Sequence, residues 1–466
     1  MLSRIGGALR RATAPTPQRR SFDAAAGGRR GSSFGRHFGS HNAAAMHAGA
    51  TVRDRARRAY ANNGYVRNGV DAFVAEAVGA GIAASSAHPE ADLREDIDAR
   101  FAQVAEAIDA EGRTNFAGLQ RAVVRTVFVD GEAFVMIEET DDGLQLRQIP
   151  TEFLDDADTR DLRDGGYVVG GIEFDRFGRR VAYHIRPQRP TDVFPGAREA
   201  IRVSAANVLH ICEPLGPGQV RGVSALAPIL LTLNELDQLQ DALLVGAKVA
   251  AMHAAFLVDM TGQSGDPYGG DQDGDVLETG IEPGAMLRLP AGLDVKFNSP
   301  DQAKDGVAFA KFTLGQVAAG LGVPQHLVDG DLTGANYSSL RAGLLPFRAK
   351  VEQFTTGTLV PQFLAPAFRR AIREEYFAGR LELPGFERDP APFLRAEWLR
   401  PRPMQVDPAK DAEALREMLA LGLVSRRQAV RQLGSDVVDI DREIAADRAR
   451  EEALGLTFND PKEGAA

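Results

Sequence analysis

An α+β fold is predicted by three observations: a helix, break and helix over 305–354, a β-rich stretch over 132–212, and a long helix over 224–256. In the first, Leu314, Val317, Ala318 and Leu321 share one helical stripe, with Phe309 and Phe312 beside it. The helix must stop at Gly320-Leu321-Gly322-Val323-Pro324, because glycine leaves helical angles freely and Pro324 biases Val323 away from them. The link over 325–336, QHLVDGDLTGAN, is polar and turn-rich. Ser338 is the expected cap of a second helix, on which Leu340, Leu344, Leu345, Phe347, Val351 and Phe354 keep helical spacing.

Ahead of this unit, residues 1–51 hold eight arginines and one acid, Asp23, among many Ala, Gly and Ser. Such a segment buries too little apolar area to offset chain entropy and reads as a disordered basic arm. His37, His41 and His47 fall in it, but a flexible arm does not preorganise metal ligands. Helices are expected over 52–79, with a break at Asn62-Asn63-Gly64, then over 93–110 and 115–129. Gly79-Ala80-Gly81 imitates a dinucleotide fingerprint, yet a helix precedes it and a loop over 85–89 follows, the wrong context. Short β runs follow at 134–137, 144–149, 167–174, 181–185 and 208–212, with Asp142-Gly143 and Asp164-Gly165 as hairpin turns, which makes an antiparallel unit. Asp155, Asp156, Asp158, Asp161 and Asp164 read as one solvated loop.

The long helix carries Leu226, Ile229, Leu233, Leu236, Leu243, Ala247 and Ala250 at near-heptad spacing. Residues 259–300 follow as a Gly/Asp loop with strand-like runs at 285–289 and 295–298. Asp271, Asp273, Asp275 and Glu282 fit part of a calcium loop, but Val276 stands where the sharp turn calls for glycine, so an acidic loop is the reading. Beyond Phe354, helix is expected over 359–377 around Pro361 and Pro366, then an irregular Pro-rich strap over 381–403 with the only tryptophan, Trp398. Helices starting at Asp407-Pro408, capped at Ser425 and running over 437–453 close the chain.

Length and composition bound the function. The 466 residues suffice for two or three domains, and a net charge of −10 argues against broad wrapping of nucleic acid. Cys212, the single cysteine, sits in an apolar run and reads as a core thiol. No stretch reaches the roughly 20 apolar residues of a membrane span. Phosphate-loop, nucleophile-elbow and histidine-pair metal motifs are missing from the sequence, so no catalytic residue, cofactor or metal is expected.

The run AGLGVPQHLVDGDLTGANYSSLRAGLLPFR at 319–348 resembles the signature of the portal proteins of lambda-type tailed phages. NNGYVRNGV at 62–70, GGIEFD at 170–175 and PGQVRGVS at 217–224 are similar too, so the likeness spans about 52–456 in one order. The resemblance implies a portal fold in a ring, typically of twelve, at one capsid vertex. Double-stranded DNA would be packaged and ejected through it, with the terminase large subunit, the major capsid protein and head-completion or adaptor proteins as partners. It divides the chain into an arm (1–51), a wing (52–222), stem helices (223–258 and 303–322), a clip (259–302), a tunnel-loop region (323–337), a wing return (338–404) and a helical crown and tail (405–466). It places Gln325, His326, Asp329, Asp331, Thr333 and Asn336 in the tunnel loop. Near that loop, Lys304, Lys311, Arg341, Arg348 and Lys350 are the cations expected to meet DNA phosphates. The resemblance implies a virion component, assembled in the host cytoplasm, with no membrane partner. The alternative is a soluble or organelle-targeted enzyme with a cleavable N-terminal segment, since Arg-rich, acid-poor N-termini also mark transit peptides.

Overall fold

The Ser40 hydroxyl accepts from the backbone of Ala43 and starts α1 (His41–Asn62). This helix begins inside the segment expected to be an unstructured arm, because Ala45, Arg53 and Ala56 find buried contacts that composition does not reveal. The computed structural model describes residues 39–140, 143–187, 199–251, 255–258, 286–289, 301–333, 336–401 and 408–456. The expected break falls at Asn63, whose side chain accepts from Val66 N at 3.1 Å and caps α2 (Gly64–Val78). Next come β1 (Ala83–Ser86), α3 (Ala91–Ala107) and α4 (Phe116–Asp130), the last capped by Asn115.

The β-rich stretch is antiparallel, as its alternation and turns predict. β2 (Glu132–Thr140) lies between β3 (Gly143–Ile149) and the later β9 (Val208–Cys212). A second sheet joins β4 (Arg160–Asp161), β5 (Tyr167–Val169), β6 (Ile172–Phe174), β7 (Arg180–Ile185) and β8 (Ile201–Ser204) in chain order. The single run expected over 167–174 is a hairpin that turns at Gly170-Gly171. Phe134, Ile172, Tyr183 and Val208 fill a small core shared by the two sheets.

The long helix is shorter than its pattern suggests. α5 (Leu230–Ala251) is followed by β10 (Ala255–Val258), which takes Phe256 out of the helix by pairing in parallel with β11 (Met286–Leu289). The acidic stretch with Asp271, Asp273, Asp275, Val276 and Glu282, and the run over 295–298, lie outside the described residues. α6 (Asp301–Leu321) then runs back along α5: Leu243 lies over Gly306 and Ile229 over Gly320, an antiparallel register.

Gly322, at φ +70°, and Pro324 end α6 as expected, but the link that follows is not all loop. Residues Gln325–Asp329 form α7, because Asn68 Nδ2 donates to the carbonyls of Leu327 and Val328 at 2.7 and 3.1 Å and holds the turn against α2. Asn336, not Ser338, caps α8 (Tyr337–Phe354): its side chain accepts from Ser339 N at 2.8 Å while Ser339 Oγ accepts from Asn336 N at 2.9 Å. Helix continues through a π-helical segment, Thr355–Leu364, into α9 (Ala365–Phe377). The Pro-rich strap holds one strand, β12 (Ala396–Leu399), which pairs antiparallel with β1 where a loop was expected. α10 (Pro408–Ala420), α11 (Arg426–Gln432) and α12 (Val437–Leu454) follow, with Ser425 capping α11 as read.

The main core gathers the helices. Phe73 of α2 lies with its ring centroid 4.5 Å from Phe128 of α4, 6.4 Å from Phe347 and 5.4 Å from Phe354 of α8. Beyond it, Phe101 of α3 meets Phe368 of α9 at 4.9 Å. α2, α3, α4, the α5–α6 hairpin, α8 and α9 therefore share one packed body.

Candidate functional site

The near-heptad stripe of α5 is half used within the chain. Leu226, Ile229, Leu233 and Leu236 are buried, whereas Leu244 and Val245 of α5 and Val307, Phe309 and Phe312 of α6 are each 54% to 64% exposed. By the Leu243–Gly306 register, Leu244, Val245 and Val307 lie toward the far end of the hairpin, and Phe309 and Phe312 nearer its middle. Large exposed apolar groups on both helices of one arm are of the kind found at interfaces.

At the near end, a chain of polar contacts shapes the loop between α6 and α8. Gln325 Nε2 donates to Asp329 Oδ2 at 3.0 Å, and Asp329 Oδ1 accepts from Asp331 N at 2.9 Å. Asp331 Oδ1 accepts from Thr333 N at 2.8 Å, and its Oδ2 receives Lys311 Nζ of α6 at 2.5 Å. Lys311 and Thr333 hold the Asp331 carboxyl below the usual carboxylate range. The His326 carbonyl accepts from Gly330 N and closes α7. Leu332 and Thr333 at the tip and Asn336 at the start of α8 face solvent. Gln325, His326, Asp329, Asp331, Thr333 and Asn336 are thus brought together as one short helix and turn between two long helices.

The expected cations are not gathered in the same way. Lys311 is tied to Asp331. Lys350 donates to the Leu321 carbonyl at 3.3 Å, which caps the C-terminus of α6. Arg348 lies 3.2 Å from Glu76 of α2 and Arg341 3.4 Å from Asp411 of α10. The Lys304 side chain lies outside the described residues.

Sequence reading missed the charged joint where the β unit leads into α5. Arg221 Nε donates to Glu132 Oε1 at 2.7 Å, and Gly222 N donates to Glu132 Oε2 at 2.9 Å. His210 Nε2 lies 2.9 Å from that same oxygen. Arg180 donates to His210 Nδ1 at 3.1 Å, so Nδ1 is the acceptor and Nε2 carries the proton of a neutral ring. Arg221 also reaches the Gly170 carbonyl at 3.0 Å and the Asp156 carboxylate, to which Arg53 adds a contact at 3.2 Å. Asp156 is therefore a partner of this joint, and Asp155 pairs with Arg186 at 2.5 Å; neither is part of a merely solvated loop. Burial alone would lift Glu132, but Arg221 and His210 outweigh it and hold its carboxyl well below the usual range. Burial keeps the His210 imidazole below its ordinary value. The available signal was Arg221 itself, a cation between Val220 and Gly222 in an otherwise apolar and Gly-rich stretch. Gly222 and Gly131 approach so closely that a Cβ on either would strike the other segment's backbone. Burial pushes the Cys212 thiol up to about 11, in keeping with a core thiol.

The family model of phage portal proteins, lambda family, matches residues 27–354, and the chain belongs to that family. It is 26% identical over 428 residues to a probable portal protein of Halomonas phage phiHAP-1, covering 87% of this chain and 81% of that one. The portal protein of Escherichia phage N15 is 23% identical over 447 residues, with 85% and 83% covered, and portal protein B of Escherichia phage lambda 21% over 389, with 75% and 71%. Among solved structures, the neck of a native gene transfer agent particle computed with C12 symmetry aligns at 15% identity and TM-score 0.40, over 83% of this chain and 93% of that one. The role is that of a portal at the capsid vertex of a tailed phage, and its place is the virion. No helix among the described residues is long and apolar enough to cross a membrane.

Proposed function

We propose that the chain assembles into a homo-oligomeric ring, of twelve subunits by the family resemblance, in which the α5–α6 hairpins surround a channel for double-stranded DNA. The observation that carries this reading is the exposed apolar side chains of the hairpin: Leu244, Val245, Val307, Phe309 and Phe312 are each more than half exposed. Burying such a side chain completely is worth about 1.5–3 kcal/mol, so neighbouring hairpins supply both the cover and the driving force for closure. The loop from Gln325 to Asn336 then forms the constriction, with Lys304, Lys311, Arg341, Arg348 and Lys350 as the cations nearest to passing phosphates. Residues 259–302 act as the clip that docks the terminase large subunit during packaging and head-completion or adaptor proteins afterwards. The wing meets the major capsid protein, and assembly takes place in the host cytoplasm. The protein catalyses nothing in this scheme: packaging work belongs to the motor it docks. The alternative of an enzyme with a cleavable N-terminal segment gains no support from the family match.

The test is negative-stain electron microscopy of the purified chain beside its mass in solution. Rings with a central hole are expected. A monomer that stays a monomer at high concentration, with scaffold and capsid proteins supplied, would overturn the proposal.

A further inference from the structure

The helix that leads away from the loop contains an unusual piece of backbone. Over Thr355–Leu364 the turns widen to the i→i+5 ladder, and Ala365 N donates to the Val360 carbonyl, five residues back. Such turns are rare and mostly single, so a ten-residue stretch needs a cause. Pro361 provides one. In an α-helix its ring would press on the Gly357 carbonyl, and it has no N–H to offer either ladder, so the wide turn relieves a clash at no loss of a hydrogen bond. The threonines provide another. Thr355 Oγ1 donates to the Val351 carbonyl at 2.9 Å and Thr356 Oγ1 to the Glu352 carbonyl at 2.8 Å, so these oxygens stay satisfied when the backbone ladder changes.

The two flanks differ in how firmly they are held. On the C-terminal side Phe363, Leu364 and Phe368 are fully buried, and Gln362 Oε1 accepts from Cys212 N of β9 at 2.9 Å. On the N-terminal side the first half of α8 is open: Ser338, Ser339, Ala342 and Pro346 are exposed, and Leu345 is 60% exposed. Resistance there comes from buried Phe347, Val351 and Phe354, the two rings seated against Phe73, and from the contacts of Lys350 with the Leu321 carbonyl and of Arg348 with Glu76.

We propose that Thr355–Leu364 is a conformational joint that switches between wide and α-helical turns, and so rotates and slides α8, with the loop it carries, against a fixed α9. Each wide turn holds one residue more than an α turn. Closing one therefore turns α8 by about 100° and shifts it by about 1.5 Å along its axis. The joint is a property of the protomer; only its effect on DNA rests on the portal reading.

The experiment uses the full-length protein with nitroxide labels at Ala349→Cys and Arg369→Cys, both exposed, and reads their separation by dipolar EPR; the buried Cys212 stays unlabelled. Pro361→Ala restores an N–H and removes the ring, and Thr356→Ala leaves the Glu352 carbonyl in need of a backbone donor. Both changes favour α turns. Either is expected to add or enlarge a second distance displaced by roughly 5–8 Å, the chord swept at the surface of a helix about 10 Å wide. Thr356 is exposed, so its variant reports even if Pro361→Ala does not fold. Unchanged single distances in every variant that folds would overturn the joint, whether or not rings form. Shifted distances with normal DNA retention would keep the joint and remove its link to the channel.

Discussion

Replacing Arg221 by methionine is the sharpest test of the buried joint, because it removes the charge and keeps most of the volume. Glu132 would then stand almost fully buried, with only His210 and Gly222 N as partners, and the Gly170 carbonyl would lose its donor. Breaking a buried ion pair from one side costs about 3–5 kcal/mol, since the remaining charge stays desolvated. The lost bond to Gly170 belongs to the same change and is not added separately. At a urea slope of about 2–3 kcal/mol per molar, the midpoint should fall by roughly 1–2 M. Circular dichroism and Trp398 fluorescence, followed together, would show whether β unit and helices still unfold as one. Glu132→Gln combined with Arg221→Met should cost less than the sum of the single changes by about 1–3 kcal/mol, because no charge is left stranded. A loss below about 1 kcal/mol for Arg221→Met, or strict additivity of the pair, would refute the claim that this network secures the joint.

Three further outcomes are expected. His210 and Glu132 both bind protons less readily in the folded chain, so stability should fall as pH drops below the ordinary imidazole value near 6.5 and again through the carboxylate range. His210→Gln should flatten the upper part of that curve in urea titrations, and a curve unchanged by it would show that another group is responsible. Phe312→Asp changes a side chain that is exposed in the protomer, so the monomer should keep its melting temperature within about 2–4 °C while rings vanish from micrographs; persistent rings would place the interface elsewhere. Replacing 330–333 by Gly and Ser should leave rings intact but impair DNA packaging or retention, and normal packaging would remove the loop from the mechanism.

Much of this fold was legible because its signals are local. The Asn62-Asn63-Gly64 break, the ends of α4, the stop at Gly322 and Pro324 and the cap at Ser425 each depend on backbone preferences of adjacent residues. What escaped reading depends on partners distant in sequence. β1 and β12 lie more than three hundred residues apart and neither has a strong strand composition; each is a strand because the other is there. Gln325–Asp329 looks like loop until Asn68 is known to cap it. Asp156 looks solvated until Arg53 and Arg221 arrive from opposite directions. The cations near the loop were legible as charges but not as tethers, since Lys350 and Arg348 are spent on a helix end and on Glu76.

The stretches through which the sequence resembles its family converge on structural joints, away from the exposed apolar side chains of the hairpin. Asn63 caps α2 and also donates to Asp237 of α5 at 2.8 Å, tying the start of α2 to α5. Asn68 holds α7, and Gly170 and Arg221 meet where the β unit leads into α5. These contacts are directional and polar, which suits them to setting the angle at which the β unit and the helices meet. Apolar faces between neighbours place no comparable demand on residue identity, because hydrophobic contact is set by area and not by direction. Recognition through the joints together with freedom along the hairpin is what this division of labour produces. A Leu244→Met change should therefore be tolerated, whereas Arg221→Lys, which keeps the charge but loses the planar fork, should not.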